Sequence, residues 1–179
     1  MFYSTVTQSP LGQLTLAASE RAIIGLWLDG QKYWGQTLPT ALENGDELPI
    51  LRDGKQWLDD YFAGKPPRIG ELPLAPIGGA FRQLVWQLLT EIPYGQVTTY
   101  GELADKAAKR LGKTRMSAQA VGGAVAHNQI SIIIPCHRAV GTGGSLTGYA
   151  GGLDKKIALL KREGVDMSRL FVPQKGTAL

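Results

Sequence analysis

Residues 132–138 have the sequence Ile132-Ile133-Ile134-Pro135-Cys136-His137-Arg138. They contain the only cysteine of the 179-residue chain and one of its two histidines. The apolar run over residues 130–134 predicts a buried strand, which Pro135 ends because proline cannot donate a backbone hydrogen bond to a sheet. A nucleophilic thiol, a base and a cation therefore follow one another where the predicted strand leaves the core. Six glycines between residues 141 and 152 allow the backbone to approach a ligand closely. This pattern is typical of an active site.

The chemistry of the site depends on whether Cys136 is a nucleophile, since a lone cysteine is more often a small buried hydrophobic residue. His137 and Arg138 favour the nucleophile, because only the thiolate attacks and a base or a cation promotes its formation. Adjacent strand residues point to opposite faces, so contact between Cys136 and His137 requires a turn or a bridging water. A third group must orient His137, and both Glu163 and Asp154 are candidates. One cysteine and two histidines give none of the paired spacings of zinc sites, so no metal site is predicted.

Composition and charge set the class of protein. Hydrophobic residues make up 44% of the chain and charged residues 19%, which is ordinary for a globular protein. No apolar run approaches the roughly 20 residues that span a membrane, so no membrane attachment is expected. A single cysteine cannot form an internal disulfide, and we expect a cytoplasmic protein. Residues 1–79 carry six Lys/Arg and nine Asp/Glu, whereas residues 80–179 carry thirteen and six. The basic second half indicates a polyanionic partner, with a solvated basic face as the alternative.

The first half predicts a small strand-rich domain. Three short strands are expected over residues 2–6, 13–18 and 22–28, and a helix over residues 48–62. Residues 65–79 contain four prolines and three glycines, which predicts an extended linker. We therefore expect an α+β fold with an N-terminal supporting domain over residues 1–79 and a mostly helical C-terminal domain over residues 80–179.

The second half predicts a helix-turn-helix. A first helix over residues 80–92 is followed by a second one that Thr99 caps, with Glu102 completing a capping box. Ser117 caps a third helix, and a last helix spans residues 153–163. Five cations with no opposing acid lie within residues 106–115: Lys106, Lys109, Arg110, Lys113 and Arg115. The capped helix pair and these cations favour DNA binding, although such pairs are often ordinary packing.

Further motifs accompany the cysteine stretch in a fixed order. They are Phe81-Arg82-Gln83, Ile92-Pro93-Tyr94-Gly95-Gln96-Val97-Thr98-Thr99-Tyr100-Gly101, Ala120-Val121-Gly122, Gly148-Tyr149-Ala150-Gly151-Gly152 and Leu159-Leu160-Lys161-Arg162-Glu163-Gly164. Together with Asn128 and Pro135-Cys136-His137-Arg138, they resemble the O6-alkylguanine-DNA alkyltransferases (methylated-DNA–protein-cysteine methyltransferases). The resemblance is strong over residues 80–164, while the first domain is similar mainly in size and strand content.

The resemblance implies a DNA-repair protein that takes an alkyl group from guanine O6 onto its own cysteine, once per molecule. Cys136 is then the nucleophile, His137 the base acting through a water, and Glu163 the carboxylate that orients it. Tyr100 assists nucleotide rotation and supplies a proton, and Asn128 braces a helix against the active-site strand. Tyr149, Ala150, Gly151 and the Ala139 carbonyl form the pocket, and Ser117, Gln119 and Arg138 belong to the DNA-binding residues. The partner is double-stranded DNA bearing O6-alkylguanine, with O4-alkylthymine as a further candidate. A monomer without a cofactor is expected.

Two positions depart from the family pattern. Gln119 stands where much of the family has an arginine that enters the duplex in place of the flipped base. Ala139 stands where valine is usual. The first departure bears on how the flipped nucleotide is retained, and the second on pocket volume.

Two other functions remain open from the residues. One is a DNA-binding or damage-sensing protein with a structural cysteine, and the other is a cysteine hydrolase. The presence of Cys136 disfavours a non-enzymatic lesion binder, and no protease signature surrounds it.

Overall fold

The structure is a computed structural model that describes residues 1–38 and 41–174. The chain divides into two compact units, of which the first comprises Met1–Gly78 and Gln129–Ile133. The second comprises Gly79–Asn128 and Ile134–Leu179. Residues 175–179, the end of the predicted C-terminal domain, lie outside the described residues.

The first unit contains a four-stranded sheet. Its strands are β1 (Tyr3–Ser9), β2 (Gly12–Ala18), β3 (Ile23–Leu28) and β4 (Glu43–Asn44), in the order β3-β2-β1-β4. Neighbours pair antiparallel except β1 and β4, which are parallel. A two-residue turn joins β1 to β2, and Gly12 follows it with a φ of 99°, a conformation that suits glycine. The three predicted strands are thus confirmed, with ends shifted by up to three residues.

One helix, α1 (Pro49–Phe62), packs on this sheet. Its apolar residues recur at helical spacing and bury one face: Ile50, Leu51, Trp57, Leu58 and Tyr61. A Cβ atom at Gly54 would lie 2.8 Å from Leu16 Cδ2, so glycine there permits close approach of helix and sheet. The predicted linker after the helix is extended but hydrogen-bonded, since Ala75 N donates to Ile23 O at 2.8 Å.

The isoleucine run is not a strand, and this prediction is wrong. Ile130 forms a single bridge to Leu26, and the chain then turns at Ile132, which has a φ of 69°. Ile133 N donates to Ser131 O at 2.8 Å, which closes a tight turn. An apolar run reports burial and not conformation, so the same residues suit a buried turn as well as a strand.

The second unit is mostly helical. Its elements are α2 (Ala80–Thr90), β5 (Thr98–Thr99), α3 (Tyr100–Arg110), α4 (Ala118–Ala126), β6 (Ala139–Val140) and α5 (Leu153–Arg162). The Thr99–Glu102 capping box and the Ser117 cap, which accepts from Ala120 N at 3.2 Å, confirm the predicted starts of α3 and α4. Trp86 is buried between helices and donates from Nε1 to Ala124 O at 2.9 Å. β5 and β6 pair in parallel and bring the start of α3 beside the residues after the cysteine. Within the described residues, no helix is long and apolar enough to cross a membrane.

Candidate active site

The cysteine lies on a tight turn. Cys136–Arg138 forms one turn of 3₁₀ helix, which follows Pro135 and leads directly into β6. The three residues are buried, with exposed fractions of 5% for Cys136, 0% for His137 and 6% for Arg138. From the sequence, contact between Cys136 and His137 requires a turn or a bridging water. The structure has a turn here, so the two side chains are not forced to opposite faces as they would be on a strand.

His137 is held by the carboxylate at the end of α5. Its Nε2 atom lies 2.7 Å from Glu163 Oε1, and both side chains are fully buried. Gly95 N donates to the other carboxylate oxygen at 3.3 Å. Of the two carboxylates that the sequence left open, Glu163 therefore contacts the imidazole, while Asp154 lies exposed in the first turn of α5.

Arg138 completes the same network. It donates from Nε to Glu163 Oε2 at 2.8 Å and from Nη2 to Oε1 at 3.0 Å, a bidentate ion pair. A third donor, Nη1, reaches Ile92 O at 2.6 Å. Arg138 was grouped with the DNA-binding residues from the sequence, but the structure buries it against Glu163. These acceptors use three of its five N–H donors and hold the guanidinium against the carboxylate.

The network fixes the ionisation of its members. Burial raises the pKa of Glu163, but hydrogen bonds from His137 and Arg138 more than offset this and lower it to about 2. Burial lowers the pKa of His137, although the Glu163 carboxylate acts in the opposite direction. His137 is therefore neutral at pH 7. A carboxylate only accepts hydrogen bonds, so the imidazole proton is on Nε2 and Nδ1 is the basic nitrogen. Among the described residues, no protein atom hydrogen-bonds Nδ1.

Asn128 connects the end of α4 to the cysteine turn. Its Nδ2 donates to Ile134 O at 2.8 Å, which braces the backbone just before Pro135. Burial raises the pKa of the Cys136 thiol, while a hydrogen bond from Asn128 and the charge of Lys156 act to lower it. The thiol is thus protonated at rest, and the site must remove its proton before attack.

Tyr100 and Lys156 lie beside the thiol. Tyr100 OH donates to Thr147 O at 3.2 Å, and burial together with the charge of Cys136 raises the pKa of the phenol. Lys156 is 0% exposed and donates to three carbonyl oxygens. Sequence analysis missed Lys156. The signal was its position in α5, where it occupies the buried stripe of Leu159 and Leu160.

The remaining predicted residues differ in their exposure to solvent. Tyr149 is buried, Ala150 and Gly151 are half-buried, and Ala139 is fully buried directly after the cysteine turn. Ser117 and Gln119 are exposed at the start of α4, and the hydrogen bonds that join the cysteine turn to Glu163 do not include them. Within the part of the chain that the structure describes, no group of three or more His, Cys, Asp or Glu is placed to hold a metal ion.

Two family models match this chain and together cover most of it. Residues 80–165 match the family model "6-O-methylguanine DNA methyltransferase, DNA binding domain", and residues 1–76 match "6-O-methylguanine DNA methyltransferase, ribonuclease-like domain". The chain belongs to the 6-O-methylguanine DNA methyltransferase family. The predicted family resemblance is confirmed, and it extends over the first domain, where the sequence motifs were weak.

Individual relatives of the methyltransferase family match over most of their length. The chain is 39% identical over 163 residues to the methylated-DNA–protein-cysteine methyltransferase of Haemophilus influenzae, covering 91% of this chain and 87% of that one. It is 38% identical over 162 residues to the constitutive enzyme of Bacillus subtilis, covering 89% and 93%. The crystal structure of the Mycobacterium tuberculosis O6-methylguanine methyltransferase has a TM-score of 0.76 and 36% identity over 98% and 97% of the two chains. A structure of the same organism's protein in complex with DNA has a TM-score of 0.75 and 36% identity over 94% of each chain.

Proposed function

We propose that this methyltransferase repairs DNA by moving an alkyl group from guanine O6 to Cys136, once per molecule. The single observation that carries the proposal is the buried turn that places the only cysteine of the chain next to His137, whose Nε2 lies 2.7 Å from Glu163. This arrangement leaves Nδ1 as the basic nitrogen of a neutral imidazole, and we assign to it the role of base for the thiol of the preceding residue. An activated sulfur nucleophile needs such a base, held in turn by a third group, which here is the ionised Glu163 carboxylate.

The transfer step then follows from these groups. His137 Nδ1 takes the thiol proton, through one water in the family mechanism, and Glu163 stabilises the imidazolium that forms. The thiolate attacks the alkyl carbon, a C–S bond forms, and the bond from that carbon to guanine O6 breaks. The electron pair of the broken bond goes to the guanine, which takes up one proton. The product is a thioether, which has no thiolate leaving group, so Cys136 is not regenerated.

Tyr100 is the proposed source of that proton. Its hydroxyl donates to Thr147 O at 3.2 Å, and the raised pKa keeps the phenol protonated across the neutral range. A phenol that stays protonated is a hydrogen-bond donor toward the leaving guanine. We assign Tyr100 this role and Asn128 that of bracing the backbone before the nucleophile.

Access to the thiol requires a base outside the stack. Cys136 is 5% exposed, and a buried thiol cannot reach O6 of a stacked guanine, so the damaged nucleotide must flip. Tyr149, Ala150, Gly151 and the Ala139 carbonyl form the proposed pocket. Gln119 and Ser117 lie at the exposed start of α4, the proposed element that meets the duplex.

The proposed partner is double-stranded DNA that contains O6-alkylguanine, with O4-alkylthymine as a second substrate. The protein acts as a monomer in this proposal, because one chain contains the whole set of groups. A thiol that must remain reduced fits the cytoplasm.

Intact-mass measurement tests the proposed function. The protein is incubated with an excess of a duplex that contains O6-methylguanine, with the unmodified duplex as a control. We expect one added methyl group per molecule, located on Cys136, and no further addition at longer times. A Cys136→Ser variant is expected to bind the duplex and gain no mass. Transfer by the serine variant, or no mass gain by the wild type, would overturn the proposal.

A further inference from the structure

The buried amine of Lys156 joins two segments of chain that border the proposed pocket. Its Nζ donates to Ala139 O at 2.6 Å and to Thr147 O and Gly148 O at 3.2 Å each. Ala139 directly follows the cysteine turn, whereas Thr147 and Gly148 directly precede Tyr149. One side chain therefore connects the backbone next to the nucleophile with the backbone of the glycine-containing loop.

Helix α5 puts the amine in this position. Lys156 lies on the buried face of the helix with Leu159 and Leu160, and its side chain is fully enclosed. Burial of a charged amine costs free energy unless its donors are satisfied. An ammonium group has three donors, and the three carbonyl oxygens satisfy all of them. Within residues 1–38 and 41–174, no carboxylate oxygen lies within ion-pair distance of Nζ.

The titratable groups that face Lys156 belong to the proposed reaction. They are Cys136, whose charge acts on the amine, His137, on which the amine acts, and Tyr100, whose ring centroid is 5.9 Å from Nζ. Tyr100 also donates to Thr147 O, the carbonyl that Lys156 binds. Both lone pairs of that carbonyl are therefore used, one by each side chain.

We propose that Lys156 is a positioning residue for alkyl transfer. Its three hydrogen bonds hold the backbone at Thr147 and Gly148 to that at Ala139, and so fix the pocket wall of residues 149–151 relative to Cys136. The identity of the ligand rests on the proposed function, but the hydrogen bonds of Lys156 do not. An ammonium satisfied only by carbonyl oxygens acts on backbone position, and the backbone that it binds comes directly after the cysteine turn and directly before Tyr149.

Three variants of α5 separate positioning from general stability. Lys156→Met keeps an unbranched side chain that is one atom shorter and has no donor, and Lys156→Gln keeps two donors without the charge. Lys161→Met is the matched control, because Lys161 is exposed on the same helix. The rate of transfer from free O6-alkylguanine base tests the pocket without any contribution from duplex binding. Hydrogen exchange of the backbone amides tests the loop without any substrate.

We expect the methionine variant to transfer at least tenfold more slowly than the wild type. Amide exchange should accelerate within residues 141–152 and stay unchanged in α2, and the glutamine variant should recover part of both losses. The control should match the wild type. Wild-type transfer and wild-type loop exchange in the methionine variant would overturn the proposal, as would equal losses in the methionine and glutamine variants.

Two further outcomes are decided by the same design. If the methionine variant does not fold, the glutamine variant alone tests whether Lys156 positions the loop. Faster exchange confined to residues 141–152 together with slower transfer supports the role of Lys156, and no change in either overturns it. If the wild type itself transfers no alkyl group, the proposed function fails. Loop exchange still tests the hydrogen bonds of Lys156 in that case, because it needs no substrate.

Discussion

Glu163 Oε1 accepts a hydrogen bond from His137 Nε2 at 2.7 Å, and both oxygens of that carboxylate also accept from Arg138. The carboxylate therefore does two things at once: it fixes the imidazole proton on Nε2, and it remains ionised inside the protein. Without Glu163, neither the tautomer nor the orientation of His137 is determined by a protein group.

His137 and Glu163 should act as one unit in transfer. We expect His137→Ala and Glu163→Ala each to lower the single-turnover rate severely, and the double variant to be little slower than the worse single variant. The reason is that the carboxylate contributes only through the imidazole. Rates from quenched-flow or manual sampling with a methylated duplex measure the effect. Losses that multiply in the double variant would show that the two residues act independently.

Glu163→Gln should also destabilise the protein in a pH-dependent way. Removal of the carboxylate leaves Arg138 buried without its partner, which costs about 3–5 kcal/mol at pH 7. The pKa of Glu163 falls from an ordinary 4.5 to about 2 on folding, so its contribution is complete above pH 4.5. About 3 kcal/mol of the difference from wild type should therefore vanish as the pH falls from 4.5 to 2.

Urea unfolding over this pH range measures the loss. Glu91→Gln is the control, because Glu91 pairs with Arg110 at the surface, where both side chains are about 40% exposed. Such a pair contributes about 0–1 kcal/mol. A Glu163→Gln variant as stable as Glu91→Gln at pH 7 would contradict the buried network.

Local signals in the sequence predicted much of the fold. The Thr99–Glu102 box and the Ser117 cap determine where α3 and α4 begin, because a cap involves residues only three apart in the chain. The isoleucine run failed because burial does not specify φ and ψ, and Ile132 adopts a positive φ that apolar residues rarely have. Which segment the run contacts depends on Leu26, more than a hundred residues earlier, and no local pattern contains that information.

The site divides in the same way. The residue pattern itself indicated Cys136 and His137, the family resemblance selected Glu163 over Asp154, and the structure brings His137 and Glu163 into contact. Arg138 was grouped with the DNA-binding residues, whereas the acceptors that it binds, Ile92 O and the Glu163 carboxylate, lie 46 and 25 residues away in the chain, where no local pattern includes them. Lys156 was missed because a lysine is usually exposed. Its place in an apolar helical stripe was the available clue.

Cations in the last turn of α3 and directly after it should carry salt-sensitive, sequence-independent DNA binding. Arg110 is already paired with Glu91, so Lys109 and Lys113, both exposed, are the sharper choice for substitution. A Lys109→Ala, Lys113→Ala variant should lower the slope of log affinity against log salt by about 2, one per lost phosphate contact. Lys32→Ala, Lys65→Ala is the control of equal charge in the first half. An unchanged slope would place the DNA surface elsewhere.

Gln119 should fill the gap that a flipped base leaves in the duplex. Its planar amide can stack and hydrogen-bond, but it is shorter than arginine and neutral. We expect Gln119→Ala to slow repair of duplex DNA and Gln119→Arg to maintain or accelerate it. Because Gln119 is exposed on α4, away from the thiol network, all three proteins should react equally with the free alkylated base. Equal rates on the duplex would make Gln119 an ordinary surface residue of the helix.

Lys156 should make the wild type gain stability at alkaline pH relative to Lys156→Met. Burial lowers the pKa of the amine from 10.5 to about 8, so between these values the unfolded chain binds more protons than the folded one. Unfolding free energy of the wild type should therefore rise by up to about 3 kcal/mol over this window relative to the variant. Cys136 and Tyr100 are present in both proteins, so the comparison isolates the amine. Parallel pH profiles of the two proteins would show that folding does not lower the pKa of the amine.

The first unit includes a segment from the middle of the second half of the chain, and this limits where the protein can be cut into separate domains. After Asn128 the chain contributes residues 129–133 to the first unit and returns at Ile134, two residues before the nucleophile. A fragment that starts at Gly79 would contain the reactive cysteine together with three isoleucines that are buried in the intact protein: Ile130, Ile132 and Ile133. It would lack β3, whose Leu26 pairs with this segment, and an apolar segment without its partner favours aggregation. Truncation or domain exchange at Gly78-Gly79 would therefore produce an insoluble product, although the proline- and glycine-rich sequence there predicts a domain boundary.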